Sequence, residues 1–115
     1  MKKVLFICHG NICRSPMGEF ILKDLAAKAG LLDRLFVASA AVSREEIGNP
    51  VYPPARRVLA AHGISCEEKT AVQVCAADYN RYDYILYMEQ ANLPRLLRLV
   101  GPDRAGKCHR LLDFT

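Results

Sequence analysis

Val4-Leu5-Phe6-Ile7 runs without a polar side chain into Cys8-His9-Gly10-Asn11-Ile12-Cys13-Arg14, and Ser15-Pro16 follow directly. An unbroken apolar run is what a parallel strand buried on both faces requires. Ser15-Pro16 reads as a helix start, a hydroxyl cap ahead of a proline whose fixed φ and missing N–H suit a first turn. Strand, loop and helix therefore succeed one another without a spare residue. A loop so placed gathers backbone amides at a helix N-terminus, where the dipole also favours negative charge, and forms a cradle for an anion. His9, Gly10, Asn11, Ile12, Cys13 and Arg14 are the candidate phosphate-binding residues. Arg14 adds a planar fork that holds two oxygens at once. The same field favours the thiolate form of Cys8, which is the nucleophilic form of a cysteine. Ser15 has a second use, since its hydroxyl can be offered to the Cys8 sulfur. A sulfur anion held against a tetrahedral oxyanion is a nucleophile facing phosphorus.

Outward from this stretch, Met17, Phe20, Ile21 and Leu25 recur at helical spacing, with Lys28 in the last turn and Gly30 as C-terminal cap. Leu35-Phe36-Val37-Ala38 is a second strand. Pro53-Pro54 opens a helix through Val58 and Leu59 that ends near His62-Gly63. Tyr84 to Met88 is a third strand, and Leu93, Leu96, Leu97 and Val100 mark a helix closed by Gly101-Pro102. Lys107 to Leu112 is a weaker fourth strand at an edge. Such alternation predicts an α/β domain with an open parallel sheet of four strands and helices on both faces. Tyr79, Tyr82, Tyr84 and Tyr87 read mainly as strand and packing residues, and Arg56, Arg57, Arg95 and Arg98 as solvated helix faces.

At 115 residues, 51% hydrophobic and 24% charged, the chain suits one globular domain over 1–115. No run approaches the ~20 apolar residues of a membrane-spanning helix. Met1-Lys2-Lys3 imitates a signal peptide, yet the run breaks at His9 and carries no cleavage pattern. Five cysteines, an odd number, point to a reducing cytoplasm. Cys66, Cys75 and Cys108 lack a C-x2-C spacing, and His9 and His109 lack a metal-partner pattern, so no metal and no cofactor are expected. Cys13 has two readings, a small packed thiol or a reversible disulfide partner of Cys8. A net charge of +4 draws anionic substrates. No basic stripe with interleaved aromatics appears, so neither nucleic acid nor membrane is an expected partner.

VLFICHGNICRSPMGE resembles the signature of the low-molecular-weight protein-tyrosine-phosphatases, and Ser39-Ala40, Glu46-Ile47-Gly48-Asn49-Pro50 and Tyr82-Asp83-Tyr84-Ile85-Leu86 fall where that family has similar segments. The resemblance implies a flavodoxin-like three-layer sandwich with strand order 2-1-3-4, which puts the Cys8 loop at the topological switch point. It implies Cys8 as nucleophile, Arg14 as phosphate and transition-state clamp, Asn11 as a loop-shaping residue and Ser15 as stabiliser of the thiolate. It also implies a substrate wall between Glu45 and Tyr52, with Glu45, Asn49 and Tyr52 as its candidates. The implied substrate is phosphotyrosine in a protein, or a small aryl phosphate, hydrolysed through phosphocysteine.

The chain departs from the family pattern at several points. Glu45 stands where an aromatic is usual, and Lys69 where a His often stands. The family's general acid lies in an Asp-Pro pair after the fourth strand, followed by a final helix. No Asp-Pro pair occurs here, and the sequence closes on Leu112-Asp113-Phe114-Thr115. The expectation is a C-terminally incomplete domain that binds phosphate and turns over slowly on poor leaving groups, since general acid catalysis is typically worth about 10²–10⁴-fold. A sheet face covered by one helix is then expected to expose an apolar patch and favour self-association. Two other readings stand beside the phosphatase. One is a thioredoxin-coupled arsenate reductase, which needs relay cysteines where this chain has Met88-Glu89-Gln90. The other is a phosphate-binding module impaired in catalysis.

Overall fold

The apolar run at residues 4–7 lies at the centre of the sheet. In the computed structural model, which describes residues 1–114, β1 (Lys2–Cys8) pairs in parallel with β2 (Leu35–Ala41) on one side and β3 (Tyr84–Tyr87) on the other. A short β4 (Cys108–Arg110) pairs in parallel with β3, giving the order β2-β1-β3-β4. Thr115, at the end of the sequence, lies outside the described residues. Leu5, Ile7, Ile85 and Tyr87 face one side, where α4 (Asn92–Val100) supplies Leu96 and Val100 and the end of α3 (Ala76–Arg81) supplies Tyr82. Val4, Phe6 and Val37 face the other side with Leu22 of α1 (Arg14–Lys28). Burial on both sides is the reason residues 4–7 carry no polar side chain.

The first helix differs from expectation in start and phase. It begins at Arg14 with Cys13 in the capping position, so Ser15 is its second residue and is not the cap. The Ser15 hydroxyl is drawn to Cys8 and Asn11 instead. The inner line of α1 is Ser15, Glu19, Leu22 and Ala26, while Ile21 and Leu25 are exposed. That line carries a carboxylate and a hydroxyl, so hydrophobic periodicity alone misplaces the buried face. Gly18 lets the helix lie against β1, since a Cβ there would stand 2.9 Å from the Phe6 ring. Gly30, at φ +71, ends the helix as expected.

α2 (Pro53–Ala61) packs beside α1, with Ala55 and Leu59 meeting Met17 and Phe20, so the connection between β2 and β3 reaches the opposite face only with α3. α3 is too short to show a period in sequence; its Asp78 carboxylate accepts the Cys75 amide at 2.9 Å. Tyr79 is therefore a helical residue, not a strand one. Its hydroxyl donates to Asp103 at 2.6 Å, and that carboxylate also accepts the amides of Lys107 and Cys108 at the entry to β4. The fourth strand is shorter than expected and passes into a 3-10 turn at Leu111–Phe114. On the α1 side, packing concentrates on β1 and β2; beyond them Tyr84 is exposed and Leu86, His109 and Leu111 are half-buried. Arg56, Arg57, Arg95 and Arg98 are solvated, as their helix faces predict.

Candidate active site

At the C-terminal end of β1 the backbone leaves the sheet and turns back over its own last side chain. Cys8 is 5% exposed, and its sulfur lies 2.9 Å from Ser15 Oγ and 3.2 Å from the Asn11 amide nitrogen, which donates to it. The turn needs Asn11 at φ +58, a left-handed conformation that asparagine tolerates better than most side chains. Carbonyls of Cys8 and His9 accept the amides of Val42 and Ser43 just beyond β2, and the Ile12 carbonyl accepts the Tyr52 amide at 2.6 Å. The loop is thus tied to its neighbours on two sides.

The Asn11 side chain sets proton directions throughout the site. Its Oδ1 accepts the Val72 amide at 3.1 Å, which identifies the other terminus as the NH2 donor. That NH2 donates to Ser15 Oγ at 2.8 Å and to Ser39 Oγ at 2.9 Å. Each hydroxyl then has its own proton to give onward. The Ser15 hydroxyl meets the Cys8 sulfur at 2.9 Å, where it donates to a thiolate or accepts from a thiol, and Ser39 donates to Glu19 at 2.5 Å. Beneath them Lys69 donates to the Ser39 carbonyl at 3.0 Å and stands 3.7 Å from Glu19. Burial is the largest influence on Lys69 and holds its ammonium below the ordinary lysine range, against the opposing pull of Glu19.

Around the mouth, the guanidinium of Arg14 pairs with Glu89, both about half exposed. His9 Nε2 lies 3.0 Å from a Glu45 carboxylate oxygen. Of the wall candidates, Glu45 and the exposed Tyr52 border the loop directly, whereas Asn49 is held by Glu46 at 2.6 Å and by the Ala71 amide. Gly10 approaches Glu46 closely, a Cβ there meeting its side chain at 3.2 Å. All five cysteines, Cys8 and Cys13 included, are free thiols. Among the described residues no group of three His, Cys, Asp or Glu has the geometry of a metal site, and no helix is long and apolar enough to cross a membrane.

The loop residues expected from sequence are thus brought together, and Ser15 reaches Cys8 as anticipated. Glu89, Ser39, Glu19 and the Val72 amide had no place among the candidates. A serine inside an otherwise apolar second strand, and a glutamate on the inner line of a helix, are the signals they leave in the sequence.

The family model described as low molecular weight phosphotyrosine protein phosphatase matches residues 3–115. The chain is 41% identical over 115 residues to the low molecular weight protein-tyrosine-phosphatase YfkJ of Bacillus subtilis, covering all of this chain and 74% of that protein. It is 37% identical to low molecular weight phosphotyrosine protein phosphatase 1 of Drosophila melanogaster, over 99% of this chain and 72% of that one. The crystal structure of YfkJ superposes with a TM-score of 0.95 over the whole of this chain and 72% of the other, at 41% identity. Vibrio vulnificus Wzb, solved in complex with benzylphosphonate, superposes with a TM-score of 0.81 at 32% identity, over 95% of this chain and 72% of that one. With its sulfur-centred loop, sheet order and sequence all in agreement, this chain belongs to the low molecular weight phosphotyrosine protein phosphatase family.

Proposed function

We propose that the chain hydrolyses phosphotyrosine, or an equivalent small aryl phosphomonoester, through a phosphocysteine on Cys8. The observation that carries this is the seating of Cys8 Sγ on the floor of the loop, between the Ser15 hydroxyl and the Asn11 amide. The thiolate attacks phosphorus in line, forming the S–P bond as the bond to the aryl oxygen breaks, and the aryloxide so released takes its proton from solvent water. Arg14 leaves Glu89 to hold two equatorial oxygens, and the loop amides neutralise the charge that develops on them. Water then attacks phosphorus, the S–P bond breaks, and inorganic phosphate departs. Ser15, 2.9 Å from the sulfur and braced by Asn11, donates to it both as attacking and as departing anion, since a thiolate can only accept. Tyr52 offers an exposed ring beside the mouth for an aryl group, and Glu45, held by His9, adds a carboxylate to the rim. The benzylphosphonate held by Wzb, a benzyl group on a phosphonate, is a ligand of the chemistry this site suits. An odd count of five cysteines, unsuited to a full disulfide framework, fits work in a reducing cytoplasm.

Rapid-quench trapping of labelled phosphoenzyme from p-nitrophenyl phosphate, lost in Cys8→Ser, tests the assignment. Arg14→Lys replaces a fork with a point charge and is expected to lower kcat by about 10²–10³-fold. Unchanged hydrolysis in that variant refutes the role given to Arg14.

A further inference from the structure

We infer that Lys69 is a positioning residue for this reaction, supplying positive charge behind the phosphate loop from its seat on the Ser39 carbonyl, a charge that Glu19 tempers. The inference rests on the phosphatase reading of the loop. Three observations converge on it. Lys69 is the innermost ammonium of the site, its side chain 13% exposed, and it reaches the Ser39 carbonyl at the end of β2. Glu19, 6% exposed, is shared between two ammoniums, Lys23 at 2.5 Å and Lys69 at 3.7 Å. One carboxylate between two lysines leaves a net positive charge on the inner side of the loop. The same Glu19 receives the Ser39 hydroxyl, whose oxygen is braced by Asn11, so charge and hydrogen-bond direction reach the loop together. The titratable groups facing Lys69 are Glu19 and Lys23 from α1 and Cys8 from the end of β1. A buried cation costs solvation, and a position serving only to pack would be served better by an apolar side chain.

The test is competitive inhibition by inorganic phosphate, with kcat and KM for p-nitrophenyl phosphate, at pH 6.5. Lys69→Met is expected to weaken phosphate binding and raise KM by about three- to tenfold, the effect of removing one unit charge at close range in a partly screened site. Glu19→Gln keeps an oxygen to accept the Ser39 hydroxyl but frees both ammoniums, and is expected to tighten phosphate binding by a similar factor. Lys69→Arg is expected to retain wild-type binding. It is also expected to carry that binding to higher pH, because an arginine keeps its proton where the lysine loses it. A structural role alone weakens binding in both the Lys69→Met and Glu19→Gln variants; shifts of the same sign, or none, overturn the inference. Should Lys69→Met fail to fold, failure of Glu19→Gln to tighten phosphate overturns it by itself. A wild-type chain that neither binds phosphate nor forms phosphocysteine instead overturns the phosphatase reading.

Discussion

Asn11→Ala is the sharpest single perturbation of this molecule, because one side chain holds the loop in shape and orients two hydroxyls. Asn11 is 1% exposed and sits at φ +58. Its loss leaves the Val72 amide without an acceptor, at about 1–3 kcal/mol, with the low end apt because Val72 is 47% exposed and water can reach it. The hydrogen bonds to Ser15 and Ser39 contribute about 1 kcal/mol each. Alanine in the left-handed region costs about another 1 kcal/mol. Together these come to about 4 kcal/mol, a large part of the ~5–15 kcal/mol that holds a domain folded. For a chain of this length that is a fall in Tm of about 15 °C. Circular dichroism melting reads it directly. Asn11→Gly makes the same deletions without the backbone strain and is expected to recover about 1 kcal/mol of the loss. Phosphate inhibition is expected to weaken in both variants, since the loop amides are no longer held in shape around the anion. An Asn11→Ala protein melting within about 3 °C of wild type, with unaltered phosphate inhibition, refutes the assignment of the loop's shape to this side chain.

Three further outcomes follow from other contacts. Glu89→Gln removes the carboxylate that competes with a phosphate for Arg14; a half-exposed pair is worth up to about 1 kcal/mol, so phosphate is expected to bind up to about fivefold more tightly, and weaker binding means that Glu89 aims the guanidinium instead. The Cys108 thiol is pushed up to about 11 by burial, reinforced by the Asp103 carboxylate, and burial likewise raises Cys66, with Glu67 adding and Arg56 opposing. Iodoacetamide at pH 7 is therefore expected to leave Cys66 and Cys108 unmodified on mass mapping while the exposed Cys75 is alkylated; an adduct on Cys108 ahead of Cys75 contradicts this. Burial works to raise Asp103, yet the Tyr79 hydroxyl and the amides of Cys108 and Lys107 outweigh it and hold the carboxyl below the usual carboxylate range. A depressed folded value gives stability that is complete above the unfolded value and fades as pH falls through the folded one. The acid loss of stability is thus expected to be smaller in Asp103→Asn than in wild type when both are melted between pH 5 and pH 2, and equal losses argue against this carboxylate as a contributor.

Much of this protein is legible in one dimension because local chemistry dictates it. A short apolar run bounded by a loop suits a strand hidden on both faces, a left-handed turn accepts Gly or Asn before other residues, and a loop that feeds a helix start gathers backbone amides. Those constraints act within a few residues of Cys8. The second strand, the helix from Pro53 and the helix ending at Gly101 are visible for the same reason, as are the prolines and glycines that bound them. The six residues of α3, without a full period, are not.

What lies behind the loop has no local signature. Glu19, Ser39, Lys69 and the Val72 amide come from a helix, a strand and a connecting segment, and they meet only because the parallel sheet brings the end of β2 beside the end of β1. Burial reverses what composition suggests there, turning a lysine and a glutamate from surface residues into interior ones. The inner face of α1 likewise lies away from Ile21 and Leu25, on the line of Ser15 and Glu19, because the side chains that brace the loop are polar and carry no hydrophobic signal. Hydrogen-bond direction, too, belongs to the assembled structure: the amide that orients the Asn11 side chain, and so makes it a donor to Ser15, lies sixty-one residues farther along the chain.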